Sequence, residues 1–308
     1  MTMSKESNKY LGVLFISRPM TGSNSCGETD GGNGSRLQFV TIGNNTYSVL
    51  NGPAIRYGIR NALQRMPEIK MWRKHTPDGY LYGKDSVRTM VEAKGEVADE
   101  AKAIQEYIDL LFFGYMIAAE GSGKNAVADG EEATEKGAAG KKTPKRRGLI
   151  QVSMGLSTSP FLGDTSFSLG TKAKDGELCP YTGQRHFTRY YFTVHFDLER
   201  LREEGLMDRL PIVLQCLRGL QVGGKQSANL AEVVPEALVW RFFDVPGQSG
   251  LWVSPTEVSW EPEKKLDLQR LFDSAADCGY TVNVAGNAVS GTSIDDGLKA
   301  ITKALGKV

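Results

Sequence analysis

Arg189–Leu198 reads RYYFTVHFDL, and Leu11–Ser17 reads LGVLFIS. The first alternates bulky apolar and small or polar residues with a period of two, the pattern of a strand with one buried face. The second is a short unbroken apolar run, which reads as a strand buried on both faces. Two other segments support the same sheet. Leu149–Leu156 predicts a strand, and Ala237–Phe243 (ALVWRFF) predicts another. Between the first two strands Pro53 opens a helix in its first turn, where a missing N–H costs nothing. Ile55, Ile59, Leu63 and Met66 recur at helical spacing and form its buried stripe, with Arg56 and Arg60 on one flank. Asp208–Leu220 predicts a second helix, closed by Gly223-Gly224. The order is strand, helix, strand, strand, helix, strand. That is the βαββαβ order of ferredoxin-like folds and of the RNA-recognition motif. The expected class is α+β.

The intervening segments read as insertions. Arg18–Ser35 carries Gly22, Gly27, Gly31, Gly32 and Gly34 and reads as a loop. Leu37–Ile42 predicts a short strand before an Asn44-Asn45 turn. Trp72–Val97 has no regular period, and Ala98–Ala119 predicts a helix. Residues 120–148 are of low complexity, acidic first and basic later, and read as a mobile surface loop. Ser157–Gln184 has turn residues at Pro160, Gly163, Gly170, Gly176, Pro180 and Gly183, the mark of a long protruding hairpin. A tail with a final helix near Ser293–Leu305 follows.

Composition excludes several classes. The 308 residues carry 37 Lys+Arg against 36 Asp+Glu, so the chain is no polycation. No apolar run reaches the roughly 20 residues of a membrane span, and Met1–Lys9 lacks a signal-peptide core. The expectation is a cytoplasmic protein without membrane contact. Cys26, Cys179, Cys216 and Cys278 are far apart and read as free thiols. Gly121-Ser122-Gly123-Lys124 fails as a phosphate loop, because Ala118 and Asn125 stand where the motif needs Gly and Ser/Thr and a helix precedes it. Three histidines, His75, His186 and His195, are too few and too scattered for a zinc site, and His195 reads as a structural residue of its strand. No cofactor is expected.

Charge is unevenly spread. Residues 1–67 hold seven basic residues and three acids, a local +4. Arg209, Arg218 and Lys225 lie between Asp208 and Glu232 with no intervening acid. Cations beside glycine-rich backbone suit phosphate oxygens, since side chains and bare N–H groups both reach them.

Four segments resemble a known family. They are Val49–Leu63 (VLNGPAIRYGIRNAL), Tyr107–Met116 (YIDLLFFGYM), Arg147–Phe167 (RGLIQVSMGLSTSPFLGDTSF), and Val222–Ser227 (VGGKQS) leading to Pro235-Glu236. In this order they resemble the DevR-like backbone subunit of type I CRISPR Cascade complexes. The resemblance implies a modified RNA-recognition core shaped like a hand, with copies stacked along a guide RNA (crRNA) that pairs with target DNA, among other Cascade subunits. It implies a palm over 1–70 and 149–245, a thumb hairpin at 157–184, a finger insertion over 71–148 and a C-terminal extension over 246–308 packing on the palm. Candidate RNA contacts are Arg18, Asn33, Arg56, Arg60, Lys225, Gln226 and Ser227. Candidate thumb residues that flip a base out are Phe161, Asp164, Phe167 and Leu169, with Phe161 and Phe167 equally suited to packing on a neighbouring copy. Lys141, Lys142, Lys145, Arg146 and Arg147 are either a solvated run or a contact to target DNA. The expected subunit is non-catalytic. The alternatives are a metal-dependent RNA endonuclease of the type III kind, using Glu28 or Asp30, and a standalone RNA-binding regulator.

Overall fold

The strand Tyr10–Ser17 (β1) is buried along Leu11–Ser17 because it lies at the centre of a sheet with both faces covered. The computed structural model describes residues 8–22, 25–29, 32–76, 79–82, 104–116, 145–163, 165–171, 178–222 and 232–306. After β1 come β2 (Met20–Gly22), β3 (Ser25–Thr29), β4 (Gly32–Leu37), β5 (Phe39–Ile42), β6 (Asn45–Leu50) and the helix α1 (Gly52–Gln64). Then follow β7 (Arg73–Thr76), β8 (Gly79–Tyr82), α2 (Ile108–Phe113), β9 (Gly114–Met116) and β10 (Lys145–Arg147). The chain continues through β11 (Ile150–Val152), β12 (Gly155–Ser157), β13 (Thr165–Thr171), β14 (Leu178–Gln184), β15 (His186–Thr188) and β16 (Tyr190–Asp197). It ends with α3 (Leu198–Glu203), α4 (Leu210–Gln215), β17 (Leu220–Gln221), β18 (Glu232–Val233), β19 (Pro235–Phe243), α5 (Gln269–Asp277), β20 (Asn283–Ala285), α6 (Asn287–Ser290) and α7 (Ile294–Leu305). The chain divides into two units, Met1–Leu63 with Ile150–Val308, and Gln64–Leu149.

The first unit is built on an antiparallel sheet of order β20-β19-β1-β16-β12-β6-β5, with β11 also pairing β16. Val13 stands opposite Val194 on one side and Trp240 on the other. The predicted strand over 149–156 is two strands broken at Ser153-Met154, and both pair with β16.

Each face of the sheet has its own cover. On one face Phe15 stacks on Phe192 at 4.7 Å, and α7 approaches so closely that a Cβ at Gly297 would lie 2.3 Å from Ala285 and 3.5 Å from Trp240. On the other, Leu14, Ile16, Tyr191, Ala237 and Val239 pack against Leu251, Val253, Val258, Trp260, Leu266, Leu268 and Leu271. Gly12 is the gap Leu251 needs, since a Cβ there would sit 3.1 Å from Leu251 Cδ1. His195 lies on this covered face, its ring edge-on to Phe243 at 5.4 Å, and burial pulls its pKa down.

The segment read as a loop over 18–35 is largely β-structure. β2 pairs β15. β3 pairs β4, and β4 pairs β14 in parallel, so the 165–184 hairpin and the 25–37 hairpin form one four-stranded sheet. Polar, glycine-rich strands give no apolar alternation, so their pairing is dictated by distant partners. Gly22 is required there: a Cβ would sit 1.9 Å from Tyr190 Oη.

In the second unit β7 pairs β8 and β9 pairs β10. The helix predicted over 98–119 is shorter among the described residues. It stops at Phe113 because Gly114 takes φ 68°, and a Cβ there would lie 2.3 Å from the Arg146 carbonyl. Asp109 is buried and accepts a 2.8 Å hydrogen bond from the Trp72 amide. No described helix is long and apolar enough to cross a membrane.

Arg189 joins the sheet to the C-terminal segment. Its side chain is buried and donates to both carboxylate oxygens of Glu236, at 2.6 and 3.2 Å, and to the carbonyls of Trp260, Glu261 and Lys264. Arg189→Leu leaves Glu236 without its cation, and breaking such a pair costs about 3–5 kcal/mol. Urea denaturation will show that loss, and Arg189→Leu/Glu236→Leu will recover part of it. Tyr190 is held by Ser48 Oγ at 2.7 Å, and burial pushes its pKa up to about 12. Burial raises Tyr191 as well, and its hydroxyl donates to the Val253 carbonyl at 2.9 Å. Raised tyrosines contribute stability that is fully present below the unfolded pKa of about 10 and lost as pH rises toward the folded values. Each group therefore adds a loss of about 1.4 kcal/mol per pH unit above pH ~10. Urea titrations at rising pH will show this loss, and Tyr190→Phe/Tyr191→Phe will flatten it.

Candidate nucleic-acid interface

α1 begins where the Asn51 carbonyl accepts from the Ile55 amide at 3.0 Å, with Pro53 in the first turn. Ile55, Ile59 and Leu63 bury its apolar stripe, as the periodicity predicts, while Met66 falls after the helix. Arg56 and Arg60 are half-buried on the flank, one turn apart, about 6 Å along the axis. Burial pulls the Arg56 pKa down from its usual range, yet a guanidinium stays charged at neutral pH.

Gly58 follows Arg56 and precedes Arg60 by two residues, and so faces the other flank of α1. A Cβ there would sit 3.1 Å from the Gln221 carbonyl oxygen, 3.1 Å from Val222 Cγ2 and 3.5 Å from Leu220 Cβ. The missing side chain lets β17 rest directly on the helix. β17 pairs β18, with Leu220 opposite Val233 and Gln221 opposite Glu232. The segment 223–231 thus spans two paired strands. Lys225, Gln226 and Ser227 lie in it, outside the described residues, but both its feet are located. One foot rests on α1 at Gly58. The other leads to Val234, whose carbonyl accepts from the Arg18 amide at 2.8 Å. Arg18 is exposed. Arg18 and the root of the Lys225 segment thus meet at Val234, while β17 rests on the side of α1 away from Arg56 and Arg60, since residues two apart on a helix do not share a face.

Other candidates are distributed elsewhere. The backbone of Asn33 lies in β4 and that of Glu28 in β3, opposite Ser35. Asp30, Lys141, Lys142 and Asp164 lie outside the described residues. Lys145, Arg146 and Arg147 form β10 in the second unit, with Lys145 and Arg147 exposed and Arg146 half-buried. Phe167 and Leu169 belong to β13, opposite Thr182 and Pro180. Phe161 packs within its own chain, 4.7 Å from the Phe39 ring and edge-on to His186 at 5.5 Å. Next to it Leu162 projects, 95% exposed.

The root of the hairpin holds a hydroxyl network absent from the sequence reading. Ser48 Oγ lies 2.7 Å from both His186 Nδ1 and Tyr190 Oη. The Ser48 amide donates to Ser157 Oγ at 3.0 Å, Ser159 Oγ meets Thr188 Oγ1 at 2.8 Å, and Thr158 Oγ1 donates to the Trp260 carbonyl at 2.9 Å. The run Ser157-Thr158-Ser159 was its one visible signal. Among the described residues no group of three or more His, Cys, Asp or Glu is gathered to hold a metal ion.

No family model matches the sequence. Among curated proteins, the CRISPR-associated protein Cas7/Cst2/DevR of Myxococcus xanthus (strain DK1622) is 26% identical over 238 residues, covering 74% of this chain and 70% of the relative. Two solved chains share the fold. One belongs to a pre-nicking CRISPR RNA-guided surveillance complex, with a TM-score of 0.56, 14% identity, and coverage of 96% of this chain and 100% of that one. The other belongs to a CRISPR RNA-guided surveillance complex, with a TM-score of 0.53, 13% identity, and coverage of 96% and 99%. By sequence the chain is similar to the Cas7/Cst2/DevR protein, and by fold to chains of CRISPR RNA-guided surveillance complexes.

Proposed function

We propose that this chain is a non-catalytic crRNA-binding subunit that stacks with copies of itself along the guide as the backbone of a CRISPR surveillance complex, presenting the guide to target DNA beside other subunits. The observation that carries this reading is the pair Arg56 and Arg60, half-buried one turn apart on a single flank of α1. The Lys225 segment is rooted on the same helix, through β17 at Gly58. Cations on a helix flank and on a glycine-rich segment suit phosphates held without regard to sequence. Arg18, Asn33, Gln226 and Ser227 complete the proposed track.

In this reading the antiparallel order β19-β1-β16-β11/β12, with α1 after β1, is an RNA-recognition-like palm over 1–70 and 149–245. Residues 157–184 are the thumb, 71–148 the finger insertion and 246–308 an extension on the palm. Asp164, Phe167 and Leu169 serve the thumb's base flipping. Phe161, seated on Phe39 and His186, braces its root. Lys141, Lys142, Lys145, Arg146 and Arg147 meet target DNA backbone from the finger side.

Arg56→Ala/Arg60→Ala will weaken guide-RNA binding and flatten its salt dependence. Losing two phosphate contacts lowers the slope of log K against log salt by about 1.4 for a single strand. An unchanged slope in filter binding would remove α1 from the interface. Incubating the assembled complex with matching RNA and Mg²⁺ is expected to leave the RNA intact. Regularly spaced products, abolished by Asp30→Ala, would replace the non-catalytic reading with a ribonuclease.

A further inference from the structure

The chain has four tryptophans. Trp72, Trp240 and Trp260 are buried, whereas Trp252 is 69% exposed. Its two neighbours are both fixed. Leu251 and Val253 are buried in the core beneath it. Thr193 Oγ1 donates to the Leu251 carbonyl at 3.4 Å, and Tyr191 Oη donates to the Val253 carbonyl at 2.9 Å. The backbone on either side of Trp252 is thus tied to β16, while the indole itself is left in water. Single exposed apolar residues are ordinary. A large flat ring on a backbone tethered at both sides is a preorganised surface, and it binds with little ordering cost.

The backbone that carries this ring is placed by direct contacts. Thr193 also exchanges hydrogen bonds with Ser153, from the Ser153 amide to the Thr193 carbonyl at 2.9 Å and from the Thr193 amide to Ser153 Oγ at 2.8 Å. Met154, the next residue, is 45% exposed. At the same break in the sheet edge, a Cβ on Gly52 would lie 3.0 Å from the Val152 carbonyl oxygen. One side of the break therefore meets the strand that carries the Trp252 tether, and the other meets the first turn of α1. Arg56 is one turn further along. A chain of direct contacts thus runs from the first turn of α1, through the break that carries the exposed Met154, to the strand that tethers the backbone beside Trp252.

We propose that Trp252 is a base-stacking platform for single-stranded RNA at the end of the Arg56–Arg60 track. This rests on the RNA-binding reading above and adds a residue to it. Stacking on an aromatic ring tolerates any base, as a sequence-independent holder requires.

The test uses the full chain and a short fluorescently labelled oligouridylate. Anisotropy measures affinity, and unlabelled oligouridylate is titrated for intrinsic tryptophan emission. Wild-type protein will show red-shifted emission from the exposed indole that RNA quenches. Trp252→Ala will lose that quenching and bind about ten-fold more weakly. Trp252→Phe will keep most of the affinity, and an unchanged urea midpoint will show that both variants fold. The proposal is overturned if Trp252→Ala binds as tightly as wild type and the wild-type emission is not quenched. It is also overturned if Trp252→Ala keeps its RNA affinity but changes its sedimentation mass, which assigns the ring to a protein contact. Absence of any saturable binding by wild type would sink the RNA reading itself, whatever residue 252 is.

Discussion

A buried guanidinium cannot turn to water, so Arg189 must collect its acceptors from the chain. It does so from three places: the carboxylate of Glu236 at the start of β19, the turn Trp260-Glu261, and the Lys264 carbonyl. Residues 71–75 positions away in sequence are thereby drawn onto the start of β16. The apolar segment between Leu251 and Leu271 can then close over Leu14, Ile16, Tyr191 and Val239. The hydrophobic term favours that closure, at roughly 1.5–3 kcal/mol for each fully buried side chain. The ion pair contributes register more than energy, because only one alignment of β16, β19 and the C-terminal segment satisfies every donor.

Covering both faces of the sheet has a functional consequence. An RNA-recognition sheet ordinarily stacks bases on its open face. Here Leu251, Val253 and Trp260 occupy one face, and α7 packs on Trp240 at the other. In the proposed reading nucleic acid is left with the rims: the flank of α1, the ends of β1 and β17–β18, and the broken edge at Ser153-Met154. Of the candidate cations, Arg18 lies at the end of β1 and Arg56 and Arg60 on the flank of α1. The gap at Gly58 lets β17 rest on the other flank of that helix.

The core was legible because its strands and helix carry strong local patterns. The unbroken apolar run of β1 reflects burial on two faces, the alternation of β16 reflects one fully buried face and one half-buried face, and the α1 stripe matches its buried residues. The α1 arginines could be read for the same reason, since helical spacing alone puts them on one flank. The 25–37 hairpin was not legible. Its strands SCGET and GNGSRL have no apolar period, and their partner lies nearly 150 residues on, at Thr182 and Gly183. The shortened helix α2 was hidden because Ile108–Phe113 is buried all round and shows no amphipathic end. Trp252 was hidden in another way. Only the tethering of Leu251 and Val253 separates its indole from the apolar residues beside it.

The connectivity of β1 also bears on how the protein is made. Among the described residues β1 pairs with β16 and β19, the latter ending at Phe243, and it leaves the ribosome well before either. Synthesis at ~5–20 residues per second leaves LGVLFIS without a partner for on the order of ten seconds or more. The strand whose burial organises the mature sheet is thus, in the nascent chain, a long-waiting sticky segment. The protein's yield in a cell will depend on what shields those seven residues until the far end of the sheet arrives.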